Sequence, residues 1–352
     1  AIELGVGGVQ PHSAAEVFAH RYGDCKDKVT LLSAMLKEVG IESHYVIINT
    51  LRGSVTAATP PNIGFNHAIL AVQLPAGVDT ATLPAFIAHE QLGQVLFFDP
   101  THPLIPFGHL PGGLQANFGL LVKPGGGELV QLPQIARELN GVQRTAKLTL
   151  DENGKLRGDI QEIWMGDGAA AQRHALRTAR QDMDQIKPIE SMLNRSLTGF
   201  AIVKASVRNL RAMERPFEWH YTLEVDRYAR TAGDLILVRP RVLGSFSTAF
   251  LETKEPRQHP IEFDALLRYS DVFEITLPPG YVMDELPPAV TQDLGFVAYR
   301  SSTEMKGNVL RYTRMAEIKE LSVPVEMADE LKTFFRVIEN DERMSTVLKR
   351  AQ

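Results

Sequence analysis

The sequence has almost no cysteine and no strong charge of either sign. Cys25 is the only cysteine among 352 residues, which excludes an internal disulfide and a cysteine-rich zinc site. The formal net charge of −5 gives no basic surface for nucleic acid or for an anionic membrane. No apolar run approaches the roughly 18 residues that a membrane span requires. We therefore expect no nucleic-acid partner and no transmembrane segment in this chain.

The stretch from Tyr22 to Lys28 places the cysteine where a helix is expected to begin. Apolar residues recur after Cys25 at helical spacing and the pattern stops at Gly40, which predicts an amphipathic helix. Asp24 fits the N-cap, and Asp27 fits the partner position of a capping box. A helix N-terminus carries unpaired N–H groups and about half a positive charge, so it favours a thiolate and can receive an oxyanion. Cys25 is therefore a candidate nucleophile.

Two apolar strands are predicted downstream, and each has a polar residue at one end. His67 lies at the start of the first, Phe65 to Val72, and Asp99 lies at the end of the second, Val95 to Thr101. A short helix is predicted between them, around Pro84 to Gln91. If the strands pair antiparallel, the start of one lies beside the end of the other, so His67 and Asp99 become neighbours. We therefore expect a nucleophile, a base and an orienting carboxylate in one cleft.

Each of these residues also has an ordinary structural interpretation. A lone cysteine is commonly a small buried hydrophobic residue, His67 alone fits a strand-end histidine, and Asp99 before a proline fits the first residue of a turn. The order of the three, each beside the expected element, is what favours catalysis. Gln10 is a candidate second oxyanion donor, with a polar loop residue as the alternative.

Other polar residues near these motifs are given no catalytic role. Lys26 and Lys28 fit solvated helix positions, with thiolate stabilisation by Lys26 as the alternative. His102 and His109 fit surface or rim positions, because no third metal ligand follows at a recognisable spacing. We expect neither a metal nor a cofactor.

These motifs resemble the transglutaminase-like cysteine superfamily, in particular its bacterial branch in which the core is flanked by domains of unknown function. The matching segments lie within roughly residues 1–125 and are Gly23-Asp24-Cys25-Lys26-Asp27, Asn66-His67-Ala68 and Phe98-Asp99-Pro100-Thr101. The resemblance implies a papain-like arrangement with Cys25 as nucleophile, His67 as general base and then acid, and Asp99 fixing the imidazole tautomer. It also implies acyl transfer through a thioester, from a glutamine or peptide carbonyl to an amine or to water. It favours a periplasmic or extracytoplasmic location.

We predict an α+β fold, with a papain/transglutaminase-like core followed by β-rich α+β C-terminal regions. Residues 1–142 form the catalytic core, which we expect to be N-terminally truncated because little sequence precedes the cysteine. Residues 143–258 form a β-rich α+β domain with a long helix. Residues 259–352 form an antiparallel β region with a closing helix from about Val325 to Lys349.

The leading functional hypothesis is cysteine-dependent acyl transfer on protein or peptide substrates, by transglutaminase-type amide chemistry or by peptide and amide hydrolysis. The alternative is a non-catalytic binding or envelope-scaffold module on the same fold, because the chain after Leu150 carries no visible chemistry. A third hypothesis is an autoinhibited piece of a larger enzyme, with an upstream domain of the same protein as its partner.

Overall fold

The chain separates into two compact units, Ala1–Ala136 and Arg137–Gln352. Both combine helices with sheets, so the predicted α+β class is confirmed. The structure, a computed structural model, describes residues 10–59, 64–177, 182–246, 251–252 and 257–351.

In the described part of the first unit, two helices precede the sheet, and local side chains fix where each helix begins. Ser13 and Glu16 form a capping box before the first helix, and Asp24 and Asp27 form one before the second. Both boxes satisfy N–H groups that a helix start otherwise leaves unpaired. The predicted start of the cysteine helix is therefore confirmed. The two helices are α1 (Ala14–His20) and α2 (Cys25–Glu38).

The rest of the first unit is built around a six-stranded antiparallel sheet. Its strands are β1 (Ser43–Ile48), β2 (His67–Gln73), β3 (Phe86–His89), β4 (Gly93–Phe98), β5 (Phe118–Lys123) and β6 (Gly126–Gln131). Their order across the sheet is β3-β4-β2-β1-β5-β6. Leu70 of β2 lies opposite Phe98 of β4, so the predicted antiparallel pairing of these two strands is confirmed.

The predicted helix around Pro84 to Gln91 is wrong, because β3 forms there. Phe86 pairs with Leu96 and His89 with Gly93 in a tight hairpin. Gly93 has a positive φ of 72°, a conformation that glycine adopts without strain. Pairing with β4 satisfies the backbone of this segment, and such tertiary context overrides a weak local helix preference.

Alternate residues of β2 face different layers, as the two-residue period of a strand requires. One face packs with Val29 of α2, and the other lines the larger core of the unit. Cys25 packs against the cluster on the α2 side, so the first residue of the helix is held against β2. The residues that face α2 are Ala68, Leu70 and Val72, and those that face the larger core are Ile69 and Ala71.

The second unit is built on an eight-stranded sheet, accompanied by a four-stranded and a two-stranded one. In chain order its elements are β7 (Gly141–Leu150), β8 (Leu156–Met165), α3 (Gly166–Arg177), α4 (Asp182–Leu193), β9 (Phe200–Arg208), β10 (Phe217–Val225), β11 (Arg230–Ala232), β12 (Leu235–Val238), β13 (Ile261–Glu262), β14 (Leu267–Thr276), β15 (Tyr281–Glu285), β16 (Val290–Asp293), β17 (Val297–Lys306), β18 (Val309–Ile318), β19 (Ser322–Val323), α5 (Ala328–Asp341) and β20 (Thr346–Arg350). The strand order of the large sheet is β16-β17-β18-β14-β7-β8-β10-β9, that of the four-stranded sheet is β11-β12-β20-β15, and β13 pairs with β19.

The predicted boundary between residues 258 and 259 is not a boundary in the structure. β7 from the region before it pairs in parallel with β14 from the region after it. Arg144 of β7 and Arg314 of β18 both contact the buried carboxylate of Asp271 on β14. Because the sheet and its buried charges cross the predicted boundary, the two regions form one unit. The first unit ends at Ala136, earlier than the predicted residue 142.

The closing helix is shorter than predicted. α5 ends at Asp341, and the segment predicted to continue it forms β20, which pairs with β12 and β15. Thr346 and Val347 are β-branched and suit a strand. The predicted apolar face of the helix is confirmed by burial of Leu331, Phe334, Phe335 and Ile338. Neither α5 nor any other described helix is long and apolar enough to cross a membrane.

Candidate active site

The start of α2 is held by two carboxylates. Asp24 accepts a hydrogen bond from the N–H of Asp27 at 3.3 Å, and Asp27 accepts one from the N–H of Asp24 at 3.1 Å. The N–H of His12 also donates to Asp27, at 2.8 Å. Burial would raise the pKa of the Asp27 carboxyl, but these N–H donors hold its pKa below the ordinary value. The segment before the helix is thus tied to the turn that carries Cys25.

Cys25 is the first residue of α2, and its side chain is half-buried. Interaction with the side chain of His67 is the largest cause of a lowered pKa of the Cys25 thiol. The N–H of Ala68 also lowers this pKa, whereas burial and the Asp24 carboxylate oppose the shift. A lowered thiol pKa increases the fraction of the cysteine in the reactive thiolate form.

His67 links this thiol to Asp99. Nε2 of His67 lies 2.9 Å from Oδ2 of Asp99, so Nδ1 is the ring atom that remains for the sulfur. Burial alone would lower the pKa of His67, but the hydrogen bonds and charges of Asp99 and Cys25 raise its pKa to about 9. At neutral pH His67 is therefore mostly protonated, and its positive charge favours the thiolate form of Cys25.

Asp99 is buried, with 6% of its surface exposed. Burial favours the neutral carboxyl, but hydrogen bonds from His67 and Thr101 hold the pKa of Asp99 below its ordinary value. Thr101 gives Oδ1 two of these bonds, from its N–H at 2.8 Å and from its hydroxyl at 2.6 Å. The sequence motif contains Thr101 but predicts no role for it. The available signal is the order Asp-Pro-Thr, because an aspartate that begins a turn commonly accepts from the N–H two residues on.

The structure therefore brings the three predicted residues together: His67 hydrogen-bonds with Asp99 and interacts with the Cys25 thiol. The topology explains how distant residues meet. The start of β2 lies beside the end of β4, and α2 packs on β2. A cysteine, a histidine and a carboxylate placed together are the groups that covalent cysteine chemistry requires.

The other polar residues named from the sequence have different surroundings. Lys26 is not solvated as predicted, because only 13% of its side chain is exposed and its ammonium pairs with Asp24. Gln10 and His102 are exposed, and burial lowers the pKa of His109. Within the part of the chain that the structure describes, no group of three or more His, Cys, Asp or Glu side chains is placed to hold a metal ion.

Comparisons with known proteins identify two parts of the chain. A family model described as the transglutaminase-like superfamily matches residues 8–76. A model of a domain of unknown function with a solved structure, DUF3858, matches residues 234–348. A search of curated proteins gave no match. A solved structure from Parabacteroides distasonis, described as a candidate protease, is 11% identical with a TM-score of 0.47; the match covers 96% of this chain and 46% of that one.

The chain thus contains a transglutaminase-like domain followed by a domain of unknown function, which confirms the resemblance carried by the cysteine and histidine motifs. The first matched segment includes Cys25 and His67 and ends before Asp99. The second begins beside β12 and ends within β20, two strands that pair with each other. The chain spans less than half the length of the Parabacteroides distasonis structure.

Proposed function

We propose that this protein is a cysteine-dependent acyl-transfer enzyme that acts on protein or peptide substrates. The observation that carries the proposal is that His67 hydrogen-bonds with the buried carboxylate of Asp99 and also interacts with the Cys25 thiol, whose pKa it lowers. A cysteine that merely filled a core would need neither a lowered thiol pKa nor a histidine held by a carboxylate. The transglutaminase-like match to residues 8–76 supports the same class of chemistry.

In the first step the Cys25 thiolate attacks the carbonyl carbon of a substrate amide. The C–N bond breaks, and the imidazolium of His67 gives its proton to the leaving amine or ammonia. The N-terminus of α2 favours the negative charge that develops on the carbonyl oxygen. The acyl group then remains on the sulfur as a thioester.

In the second step neutral His67 takes a proton from the incoming nucleophile, which attacks the thioester carbon. Water gives a carboxylic acid and therefore hydrolysis, whereas a primary amine gives a new amide and therefore cross-linking. The C–S bond breaks, and the Cys25 thiolate is regenerated beside a protonated His67. Asp99 stays ionised throughout and stabilises the imidazolium.

Alkylation of Cys25 across pH tests whether the thiol is activated. Because the chain has one cysteine, the intact mass after iodoacetamide treatment reports the alkylation of this residue alone. Cys25→Ala, which has no thiol, is the negative control. We expect reactivity to persist well below the unperturbed thiol pKa of about 8.5. In His67→Gln the midpoint of the pH–rate curve should rise, because the largest cause of the lowered pKa is removed.

Trapping of the acyl-enzyme tests the reaction itself. The protein is mixed with a glutamine-containing peptide, quenched in acid and measured by intact mass, with and without an added primary amine. We expect the mass of the acyl group on the wild-type protein and no adduct on Cys25→Ala. Analysis of the products separates hydrolysis from amine incorporation. Full activity of Cys25→Ala in both assays would refute the proposal.

The competing hypothesis, a binding or scaffold module on the same fold, gives a different result in these assays. It predicts a thiol that iodoacetamide reaches slowly at every pH and that never carries an acyl group. In that case the contact between His67 and Asp99 would serve only to stabilise the strand ends.

A further inference from the structure

We propose that Thr101 is a positioning residue of this site, whose hydroxyl and N–H together hold the Asp99 carboxylate so that one oxygen faces His67. The inference rests on the proposed function, because it gives Thr101 a part in preparing the thiol for reaction. It adds a fourth residue to the proposed site of Cys25, His67 and Asp99.

The two oxygens of the Asp99 carboxylate are divided between two partners. Oδ1 accepts from the N–H of Thr101 at 2.8 Å and from its hydroxyl at 2.6 Å. Oδ2 lies 2.9 Å from Nε2 of His67. Rotation of the carboxylate would weaken all three contacts together. Thr101 therefore fixes the direction in which Oδ2 points.

An ordinary aspartate turn explains only one of the two bonds from Thr101. Such a turn uses the N–H two residues after the aspartate, which any residue except proline supplies. The second bond requires a hydroxyl and goes to the same oxygen. An added donor to a buried carboxylate stabilises its ionised form. The N–H of Thr101 is thus enough to form the turn, and its hydroxyl further stabilises the Asp99 carboxylate.

Loss of this hydroxyl would change the pKa of the Cys25 thiol by way of His67. A carboxylate that is held less firmly is a weaker partner for the imidazolium, so the pKa of His67 should fall from about 9. The pKa of Cys25 should rise in turn, because the His67 contact is the largest cause that lowers it. Asp24, the other charged group that acts on the sulfur, already opposes the thiolate. The pH range in which thiolate and imidazolium coexist becomes narrower at both ends.

Substitutions that separate the hydroxyl from the rest of the side chain test the proposal. Thr101→Val keeps the shape and the N–H, and Thr101→Ser restores the hydroxyl. Thr30→Val is the matched control, because the Thr30 hydroxyl bonds to Tyr45 and to the carbonyl of Lys26 instead. Circular dichroism and thermal unfolding establish that each variant is folded, and Thr101→Ala replaces the valine variant if that one is not.

The first measurement is the pH–rate curve for alkylation of Cys25. In Thr101→Val we expect alkylation near pH 6 to be about tenfold slower, which corresponds to a rise of about one unit in the thiol pKa. The second is an NMR titration of His67, whose signal is assigned by its absence in His67→Gln. Its pKa should be lower in Thr101→Val, whereas Thr101→Ser and Thr30→Val should match the wild-type protein in both measurements.

Two outcomes would overturn the proposal. One is a folded Thr101→Val protein with wild-type curves in both measurements, and the other is a Thr101→Ser protein that behaves like the valine variant. An unreactive thiol in the wild-type protein would refute the proposed function instead. The NMR comparison would then still decide whether the hydroxyl of Thr101 raises the pKa of His67.

Discussion

Gly23 lies so close to Asp27 that a methyl group on its Cα would come within 2.6 Å of the Asp27 Cβ and 3.2 Å of the Val17 Cγ1. Asp27 cannot move away freely, because it accepts hydrogen bonds from the N–H groups of His12 and Asp24. Close packing therefore requires a glycine at position 23, two residues before Cys25. It lets the capping turn close against α1.

Gly23→Ala should destabilise the protein by about 1–3 kcal/mol, the usual cost of overpacking. It should also slow alkylation of Cys25 at low pH, because the capped turn that carries the thiol is displaced. Urea unfolding and the pH–rate curve measure the two effects. Gly113→Ala is the control, since its methyl group would approach the Thr50 carbonyl oxygen no closer than 3.7 Å. Equal stability of Gly23→Ala and the wild-type protein would contradict the packing argument.

Asp99→Asn should raise the pKa of the Cys25 thiol more than Thr101→Val does. It removes the negative charge of the Asp99 side chain and keeps the shape of that side chain. Asp99 and Cys25 together raise the pKa of His67 to about 9, so without the charge of Asp99 the pKa of His67 should fall towards the ordinary value of 6.5. Alkylation of Cys25 below pH 7 should slow accordingly. Asp79→Asn is the control, because the Asp79 carboxylate accepts a hydrogen bond from a loop N–H, that of Ala81, at 2.9 Å. An unchanged His67 titration in Asp99→Asn would show that the charge does not matter.

His67 should also make the stability of the fold depend on pH. Its pKa is about 9 in the folded protein against an ordinary value of 6.5, so the folded state binds this proton more tightly. This stabilisation is fully present below about pH 6.5 and is lost as the pH rises through about 9. The unfolding free energy from urea titrations should therefore fall across this window, and it should fall less in His67→Gln. Parallel curves for the two proteins would disprove the linkage.

Local signals were sufficient to predict that Cys25, His67 and Asp99 lie together, because the helix start and the two strands that carry them are each fixed by residues close in sequence. The capping box at Cys25 depends on Asp24 and Asp27, three residues apart, and apolar runs define β2 and β4. One antiparallel pairing then brings His67 to Asp99. The bond from the Thr101 hydroxyl could not be predicted, because it depends on a side-chain rotamer and not on residue spacing.

The organisation of the second unit could not be predicted from local sequence patterns, because it depends on pairing between distant strands. β7 and β14 pair in parallel although they are far apart in sequence, and no periodicity in either strand specifies a partner. Sequence patterns therefore predicted a domain boundary after residue 258, although the sheet continues across it. The end of α5 could not be predicted for the same reason, because the segment after it forms β20 by pairing with β12 and β15.

Asp271 provides the test of whether buried charges hold the second unit together. It is 1% exposed and accepts from Arg144 on one side and Arg314 on the other. Asp271→Ala leaves both guanidinium groups buried without this partner, which should cost about 3–5 kcal/mol of unfolding free energy. Lys155→Ala, which breaks a solvent-exposed pair with Glu224, should cost far less. Similar urea midpoints for the two variants would mean that the parallel pairing of β7 with β14, and not the charges, joins the two predicted regions.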